Sequence, residues 1–385
     1  MTVTTRALVQ WSPTEPFELE TVTLDDPGPD EVRVRVRAAG LCHTDHALEG
    51  GGYASVRRPV IPGHEGAGIV EAVGSDVTDL EVGDHVLLLI PVPACGVCGP
   101  CVKGLTYFCE DGQYTGPGMQ ISDHTSRHHA KGEDLSVFVF LGTFAERAVV
   151  NRLSCLKIDP SIPFEVACSI GCAGVTGWGS VQNTGRLQPG DSVVVVGVGG
   201  VGANALMAAR FLGAKDVIAV DPLASKRDQA HVFGADAAVA TIEEARALVS
   251  QRTHGRMADL VVMAMGVGDA SLLQSALDVL GNRGRCVIVN VHPEDERVAT
   301  VSLRALQSTE KQILGCLSGS WHGRRGANFL LDLHRRGLYD PSLLVSRTYA
   351  LDDVEQGYAD QLAGECVRAI VVMPDGATPD GATGE

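Results

Sequence analysis

Two thiols, an imidazole and a carboxylate stand out for the chemistry they could do together. Cys42 lies in Gly40-Leu41-Cys42-His43-Thr44-Asp45, and His64 and Glu65 lie in Gly63-His64-Glu65-Gly66-Ala67-Gly68. Cys172 lies in Gly171-Cys172-Ala173-Gly174-Val175-Thr176-Gly177. Far apart in sequence, they make up the ligand set of a catalytic zinc, with three protein ligands and one position left open. A glycine-rich run, Gly197-Val198-Gly199-Gly200-Val201-Gly202, starts 25 residues after Cys172. A Lewis-acid metal beside a dinucleotide cofactor is equipped for hydride transfer at a carbon bearing oxygen.

A second cluster, Cys95, Cys98, Cys101 and Cys109, has the spacing C-x2-C-x2-C-x7-C. Thiolates at this density need a shared positive charge, and a closed tetrahedral zinc supplies it. An iron–sulfur cluster is the rival. Its usual run has three residues before the last cysteine and a proline after it, whereas here there are seven and Glu110 follows. Cys155, Cys168, Cys286, Cys316 and Cys366 sit in apolar surroundings and read as core. His124, His128 and His129 lack partners at ligand spacing, and the polar stretch 110–142 around them reads as a surface loop.

The elements that must position these groups fall into two kinds. Up to about residue 150 the chain reads as short strands with frequent Gly and Pro. Glu31-Val32-Arg33-Val34-Arg35-Val36-Arg37 alternates apolar and charged residues, so one face is wet. Further strands are expected at Arg6–Gln10, Gly68–Val73 and His85–Leu89, which suggests an irregular, partly barrel-like β domain. From Asp191 the pattern changes. Val193-Val194-Val195-Val196 is the continuous apolar run of a buried parallel strand. It feeds the glycine run, a helix to Leu212, and a second strand, Val217–Val220, which ends at Asp221. A lone G-x-G-x-x-G is weak, but strand, glycines, helix and a following acid together mark a Rossmann dinucleotide fold. The first glycine permits the turn, the second lets backbone approach a pyrophosphate and the third packs helix on strand. The Asp221 carboxylate suits ribose hydroxyls and repels a 2′-phosphate, so NAD is expected over NADP.

The chain has 385 residues, 45% hydrophobic and 20% charged, and a formal net charge of −16. That is room for two domains, and the acidic balance argues against nucleic-acid binding. Neither a membrane span nor the apolar core of a signal peptide is visible, so a cytoplasmic location is expected.

The motifs together resemble the zinc-dependent medium-chain alcohol dehydrogenases from about residue 6 to 373. Gly63-His64-Glu65-x-x-Gly68, with Gly74 beyond, matches that family's zinc signature, and the four-cysteine lobe matches too. A narrower likeness is to the actinobacterial, nitrosoaniline-dependent nicotinoproteins associated with mycofactocin. Its carriers are Leu141-Gly142-Thr143-Phe144-Ala145-Glu146, Val220-Asp221-Pro222 with Lys226-Arg227, and Leu317-Ser318-Gly319-Ser320. The resemblance implies an α/β fold with irregular β: a Rossmann domain, 174–317, inserted into a GroES-like β-barrel catalytic domain, 1–173 and 318–385. The zinc lobe would span 95–109, and the tail 374–385 would be disordered. Two zinc ions per chain are implied, one on Cys42, His64 and Cys172 with Glu65 as a nearby carboxylate, the other on the four lobe cysteines. Thr44 would pass the substrate proton, and Asp45 would support the zinc site. Gly197, Gly199, Gly200, Val201 and Gly202 would hold the pyrophosphate, Asp221 and Lys226 the adenosine ribose, and His43 and Arg368 phosphate oxygens. Thr176 would lie near the nicotinamide. Many members place a relay histidine three residues after the Thr44 position. Here that residue is Ala47, and His46, one position early, is the candidate.

The activity implied is hydride transfer between a primary or secondary alcohol, or the matching aldehyde, and NAD. The NAD would be tightly bound, with an external acceptor such as mycofactocin, in a homodimer or homotetramer. A formaldehyde–thiol-adduct dehydrogenase of the class III type ranks lower. Such enzymes carry an arginine soon after the last lobe cysteine, whereas here Asp111-Gly112-Gln113-Tyr114 follows and the next arginine is Arg127. An aldehyde reductase of the same fold shares every motif. A binding protein that has lost activity would also have lost zinc ligands, and none is missing.

Overall fold

The computed structural model describes residues 3–90, 93–292, 296 and 298–374; most of the tail from 374 lies outside them. Its centre is a six-stranded parallel sheet in the order Ala237–Val239, Asp216–Val220, Ser192–Val196, Ala258–Met263, Leu280–Ile288, Gln312–Gly315. This is the dinucleotide-fold order 3-2-1-4-5-6, whose ligand crevice lies beyond the carboxyl ends where the order reverses. Ser192–Val196 is buried at every position, as an interior strand covered on both faces must be. The glycine run begins at its carboxyl end and opens the helix Gly200–Phe211.

The N-terminal β region forms two sheets. In the seven-stranded one, Glu31–Gly40 lies between Gly66–Val73 and Arg368–Val372 and also pairs with Arg147–Asn151. Val32, Val34 and Val36 are buried while Arg33, Arg35 and Arg37 are half-buried, as the alternation required. The strand Arg368–Val372 thus returns from the far end of the chain, registering Ile370 opposite Gly40. The five-stranded sheet runs Val3–Val9, Glu18–Leu24, His128–Ala130, Glu133–Val137, Val60–Ile61. It corrects the reading of 110–142 as loop throughout. His128–Ala130 and Glu133–Val137 form an antiparallel pair within it, and His128 is buried rather than a surface residue. Burial holds the His128 imidazole down to about 3, so it stays neutral.

One helical run, 164–184, joins the β region to the parallel sheet. Cys172 sits in its π-helical stretch, Ile170–Gly174. Such wide turns within helices are frequent at functional sites. Trp178, from the next turn, is fully buried in a cluster that includes Ala38, Leu87, Val195, Leu206 and Ile370. The main core therefore spans both sheets and fixes one against the other.

Candidate active site

Three parts of the chain meet at the carboxyl end of the parallel sheet. Cys42 immediately precedes the helix His43–Glu49. His64 and Glu65 lead into Gly66–Val73, and Cys172 arrives on the π-helical turn. One donor atom from each of Cys42, His64, Glu65 and Cys172 lies within 4.8 Å of the others. His64 Nε2 is 3.5 Å from Cys172 Sγ, while Nδ1, on the far side of the ring, is 2.9 Å from Asp45 Oδ2. Asp45 is fully buried, and its Oδ1 accepts the Gly63 N–H at 2.9 Å. An imidazole held this way by a carboxylate directs its other nitrogen at a metal.

Charge is concentrated here. Sharing a proton with Cys172 holds the Cys42 thiol well below its usual range, helped by His64 and Arg368. The same sharing, with burial, pushes Cys172 up. Burial lowers His64, but the Asp45 and Cys42 charges outweigh it and raise it well above the ordinary imidazole value. Burial likewise raises Glu65 against the pull of Arg368, whose Nη2 meets Glu65 Oε2. A side chain at Gly40 would strike that carboxylate. Two thiols and an imidazole converging in a buried, charged setting are the donors zinc takes, so the residues fit the ion.

The second cluster is built differently. Cys95, Cys98, Cys101 and Cys109 place their sulfurs within 4.8 Å of one another. Backbone amides serve them: Cys95 N–H donates to Cys109 Sγ and Cys98 N–H to Cys95 Sγ, both at 3.3 Å. Amide donors from Glu110 and Cys101 draw the Cys98 thiol down to about 7. Here too the donor set fits zinc.

A cavity of about 920 Å³ runs from the first cluster along the sheet's carboxyl edge. It is lined by Cys42, His43, Thr44, His64, Cys172 and Thr176 at one end, and by Val196–Val201, Asp221 and Lys226 further along. Gly197 has φ +95°, which only glycine takes easily. A Cβ on Gly199 would meet nothing within 4 Å, so that amide faces an open cradle, whereas one on Gly202 would strike the Gly197 carbonyl. The helix N-terminus behind the cradle suits a pyrophosphate, so the residues fit a dinucleotide. Asp221 Oδ2 accepts the Val198 N–H at 2.9 Å and Oδ1 the Leu223 N–H at 3.0 Å.

Comparison with known proteins agrees with this geometry. Residues 28–160 match the alcohol dehydrogenase GroES-like domain and residues 200–332 the zinc-binding dehydrogenase family. Alcohol dehydrogenase B of Mycobacterium tuberculosis is 37% identical over 371 residues, 96% of this chain and 99% of that protein. The chain belongs to the zinc-dependent medium-chain alcohol dehydrogenase family. An NDMA-dependent alcohol dehydrogenase of Amycolatopsis methanolica is 37% identical over 368 residues, 96% of this chain and 98% of that one. The actinobacterial relatives bear out the narrower likeness. Among solved structures, an alcohol dehydrogenase zinc-binding domain protein from Burkholderia ambifaria superposes with a TM-score of 0.89 at 32% identity, covering 97% of this chain and all of that one. The chain is an oxidoreductase with the GroES-like and Rossmann architecture expected of this family.

Within that family frame, most residues singled out from sequence line one cavity. Asp45, Glu65 and Gly202 are buried and do not line it. Arg368 reaches it from the returning strand, and His43 packs its ring over Gly266, where a Cβ would collide with it. His46 is the exception. Its ring faces Tyr358, with centroids 5.4 Å apart, and its Nδ1 is 3.5 Å from Glu49, so it does not line the cavity. On the helix His43–Glu49, Thr44 and Ala47 are three residues apart and share a face, whereas His46 is rotated about 100° from Ala47. The sequence reading passed over Tyr53 and Val139, which line the cavity near Thr44. Both adopt left-handed backbone, φ 60° and 51°, rare for bulky or β-branched residues and concentrated at functional sites. Gly51-Gly52 before Tyr53 was the available signal.

Proposed function

We propose that this chain oxidises small uncharged alcohols, primary or secondary, by hydride transfer to NAD, and reduces the matching aldehydes in reverse. The observation that carries this is the single cavity joining Cys42, His64 and Cys172 to the Gly197–Gly202 cradle. Cys42, His64 and Cys172 would hold a catalytic zinc, with Glu65 as a nearby carboxylate, and Cys95, Cys98, Cys101 and Cys109 a structural one. The catalytic ion supplies Lewis acidity, which lowers the pKa of an alcohol oxygen. The chain's own residues do the positioning. Asp45 fixes the His64 ring, and Arg368 balances the Glu65 charge. Thr44 takes the alcohol proton. Arg368, His43 and Lys226 supply positive or donor groups toward cofactor phosphates and ribose, with Thr176 beside the nicotinamide. We divide the chain accordingly into a catalytic part, 1–173 with 318–385, and a cofactor part, 174–317.

NAD is favoured over NADP by Asp221. Both its oxygens accept backbone amides, which fixes the carboxylate at the cavity wall, where its charge would favour ribose hydroxyls and oppose a 2′-phosphate. Asp221→Ser should narrow the NAD/NADP ratio of kcat/KM by about tenfold or more, since a repulsive charge is removed; an unchanged ratio would reject the assignment.

A simple alcohol is favoured over a thiol adduct by the place of Arg127. Its guanidinium binds Glu31 at 2.8 Å and Asp123 at 2.7 Å and does not line the cavity. For association, the edge strand Gln312–Gly315 and the exposed Val298, Leu303 and Leu317 support a homodimer or a tetramer built on it. Among the described residues no helix is long and apolar enough to cross a membrane, and we place the protein in the cytoplasm.

The NDMA-dependent relative supports a resident NAD that an external acceptor, such as mycofactocin, reoxidises in place. Physically this needs opening of the cavity around the cofactor to be slow. Purified protein given alcohol and excess NAD should yield a single burst of NADH per bound cofactor, released into cycling by a nitrosoaniline. Sustained NADH accumulation would reject the resident cofactor while keeping the dehydrogenase; no alcohol-dependent signal under either condition would reject both.

A further inference from the structure

The reacting end of the cavity adjoins a second cavity. Tyr53 and Thr44 line both the 920 Å³ cavity and a neighbouring one of about 340 Å³. Tyr53 is held there by several contacts. Arg58 Nη1 donates to the Tyr53 carbonyl at 3.0 Å and to that of Val56 at 2.8 Å, which fixes a loop whose backbone is left-handed at Tyr53. The Tyr53 ring stands edge-on to Phe138, with centroids 5.6 Å apart, and Phe138 packs against His64 at 5.8 Å. Thr44 and Tyr53 stand together where the two cavities adjoin, and Thr44 Oγ1 lies 3.6 Å from Cys42 Sγ. Two hydroxyl-bearing side chains therefore stand between the Cys42 thiol and the second cavity. The positions expected to carry a proton out do not serve: Ala47 has no group that can, and His46 lies off the cavity.

We propose that the proton of the alcohol hydroxyl leaves through Thr44 and Tyr53 into the second cavity. This rests on the dehydrogenase reading above. In the step, the alcohol O–H bond breaks and a new O–H forms on Thr44. The former Thr44 proton forms the O–H of Tyr53, whose own proton passes to water and then to buffer. Thr44 and Tyr53 each end with the number of protons they began with. The electron pair of the carbinol C–H bond leaves separately, as hydride. Burial, with the nearby Cys42 charge, pushes the phenol up and keeps it protonated between turnovers. Tyr53 acts through Thr44, as a relay and positioning residue, and does not need to touch the substrate.

Tyr53→Phe keeps the ring against Phe138 and deletes only the hydroxyl. With holoenzyme, single-turnover mixing with an alcohol can follow NADH by absorbance and the released proton by an indicator dye. Proton release in Tyr53→Phe should slow by about tenfold or more, the scale of a lost proton-transfer group. The kcat with a nitrosoaniline acceptor should fall while KM stays within about twofold, and the solvent deuterium isotope effect should rise. Tyr53→His, which restores a proton carrier, should recover part of the release rate, and it reads the relay independently if Tyr53→Phe does not fold. Wild-type proton release and isotope effect in a folded Tyr53→Phe would overturn the proposal, as would Tyr53→His releasing no faster than Tyr53→Phe. Slowing in His46→Ala without slowing in Tyr53→Phe would return the relay to the helix. A wild-type protein that turns over no alcohol with any acceptor would instead remove the dehydrogenase reading, and this inference with it.

Discussion

The two clusters whose donor sets fit zinc use similar atoms in opposite ways. The four lobe cysteines come from 15 consecutive residues, 95 to 109, and find their hydrogen-bond donors in their own backbone amides. Around them the surface is open, with Val97, Val102 and Phe108 exposed. The cavity cluster comes from residues 42, 64, 65 and 172, and three of the four depend on an element from elsewhere. His64 leans on Asp45, Glu65 on Arg368, and Cys172 on a π-turn packed between two sheets. A set of four thiols closes on itself, leaves no position for substrate and needs only a local turn. A set of three that faces a cavity must be held open from outside. Charge partners and long-range packing are what hold it, and they make its chemistry tunable where the lobe's is not.

The largest effect expected from this contrast is on turnover. Cys42→Ala removes a ligand at the open site, where the metal's charge stabilisation is worth several kcal/mol, so kcat should fall by about a thousandfold or more. The melting temperature should stay within a few degrees of wild type, because the surrounding core spans both sheets without it. Alcohol-dependent reduction of a nitrosoaniline and a thermal melt test the two halves. A Cys42→Ala protein that melts far below wild type would erase the division of labour between the clusters.

Cys98→Ala should do the reverse. Three thiols would surround an underfilled ion, and metal-binding energy at a closed site is folding energy. Zinc should drop from two ions per chain to one, and the melting temperature by about 5 °C or more. Wild-type zinc content and melting in Cys98→Ala would remove the structural assignment.

How much of this was legible beforehand follows the same divide. Whatever is local could be read. The lobe spacing, the valine run before Gly197, the acid after Val220 and the alternation of Val32 to Arg37 each declare themselves within a few residues. The barrel strand 66–73 and the cofactor strands were anticipated to within a few positions. What long-range pairing creates was not derivable from the residues alone. Arg368 is one arginine in an apolar strand until that strand pairs beside Gly40, 328 positions earlier, and brings it to Glu65; only family resemblance pointed to it. His128–Ala130 is too short to show a period of two, so a buried strand histidine looked like a loop residue. His46 looked like a relay because one position along a chain seems a small error. On a helix it is a rotation of about 100°, which carries the ring to Tyr358. The wide helical turn at Cys172 leaves no mark on composition.

The smallest predicted effect probes the outside support directly. Asp45→Asn keeps the shape and changes the charge of the group behind His64. The amide oxygen can still accept the Gly63 N–H, now made to Asp45 Oδ1 at 2.9 Å. The amide nitrogen would then occupy the place of Oδ2, 2.9 Å from His64 Nδ1. A carboxylate there favours the proton on Nδ1 and leaves the Nε2 lone pair free for a metal. An amide N–H favours the opposite tautomer and puts a proton on the nitrogen that must ligate. Zinc affinity at the cavity should therefore fall by about 10- to 100-fold, the usual cost of losing such a partner. Competition with a chromophoric chelator would show one weak and one tight zinc per chain, with the lobe ion unmoved and the melting temperature little changed. Equal weakening at both clusters would mean that they are not independently supported, and unchanged affinity would mean that the buried carboxylate serves the Gly63 turn and not the metal ligand.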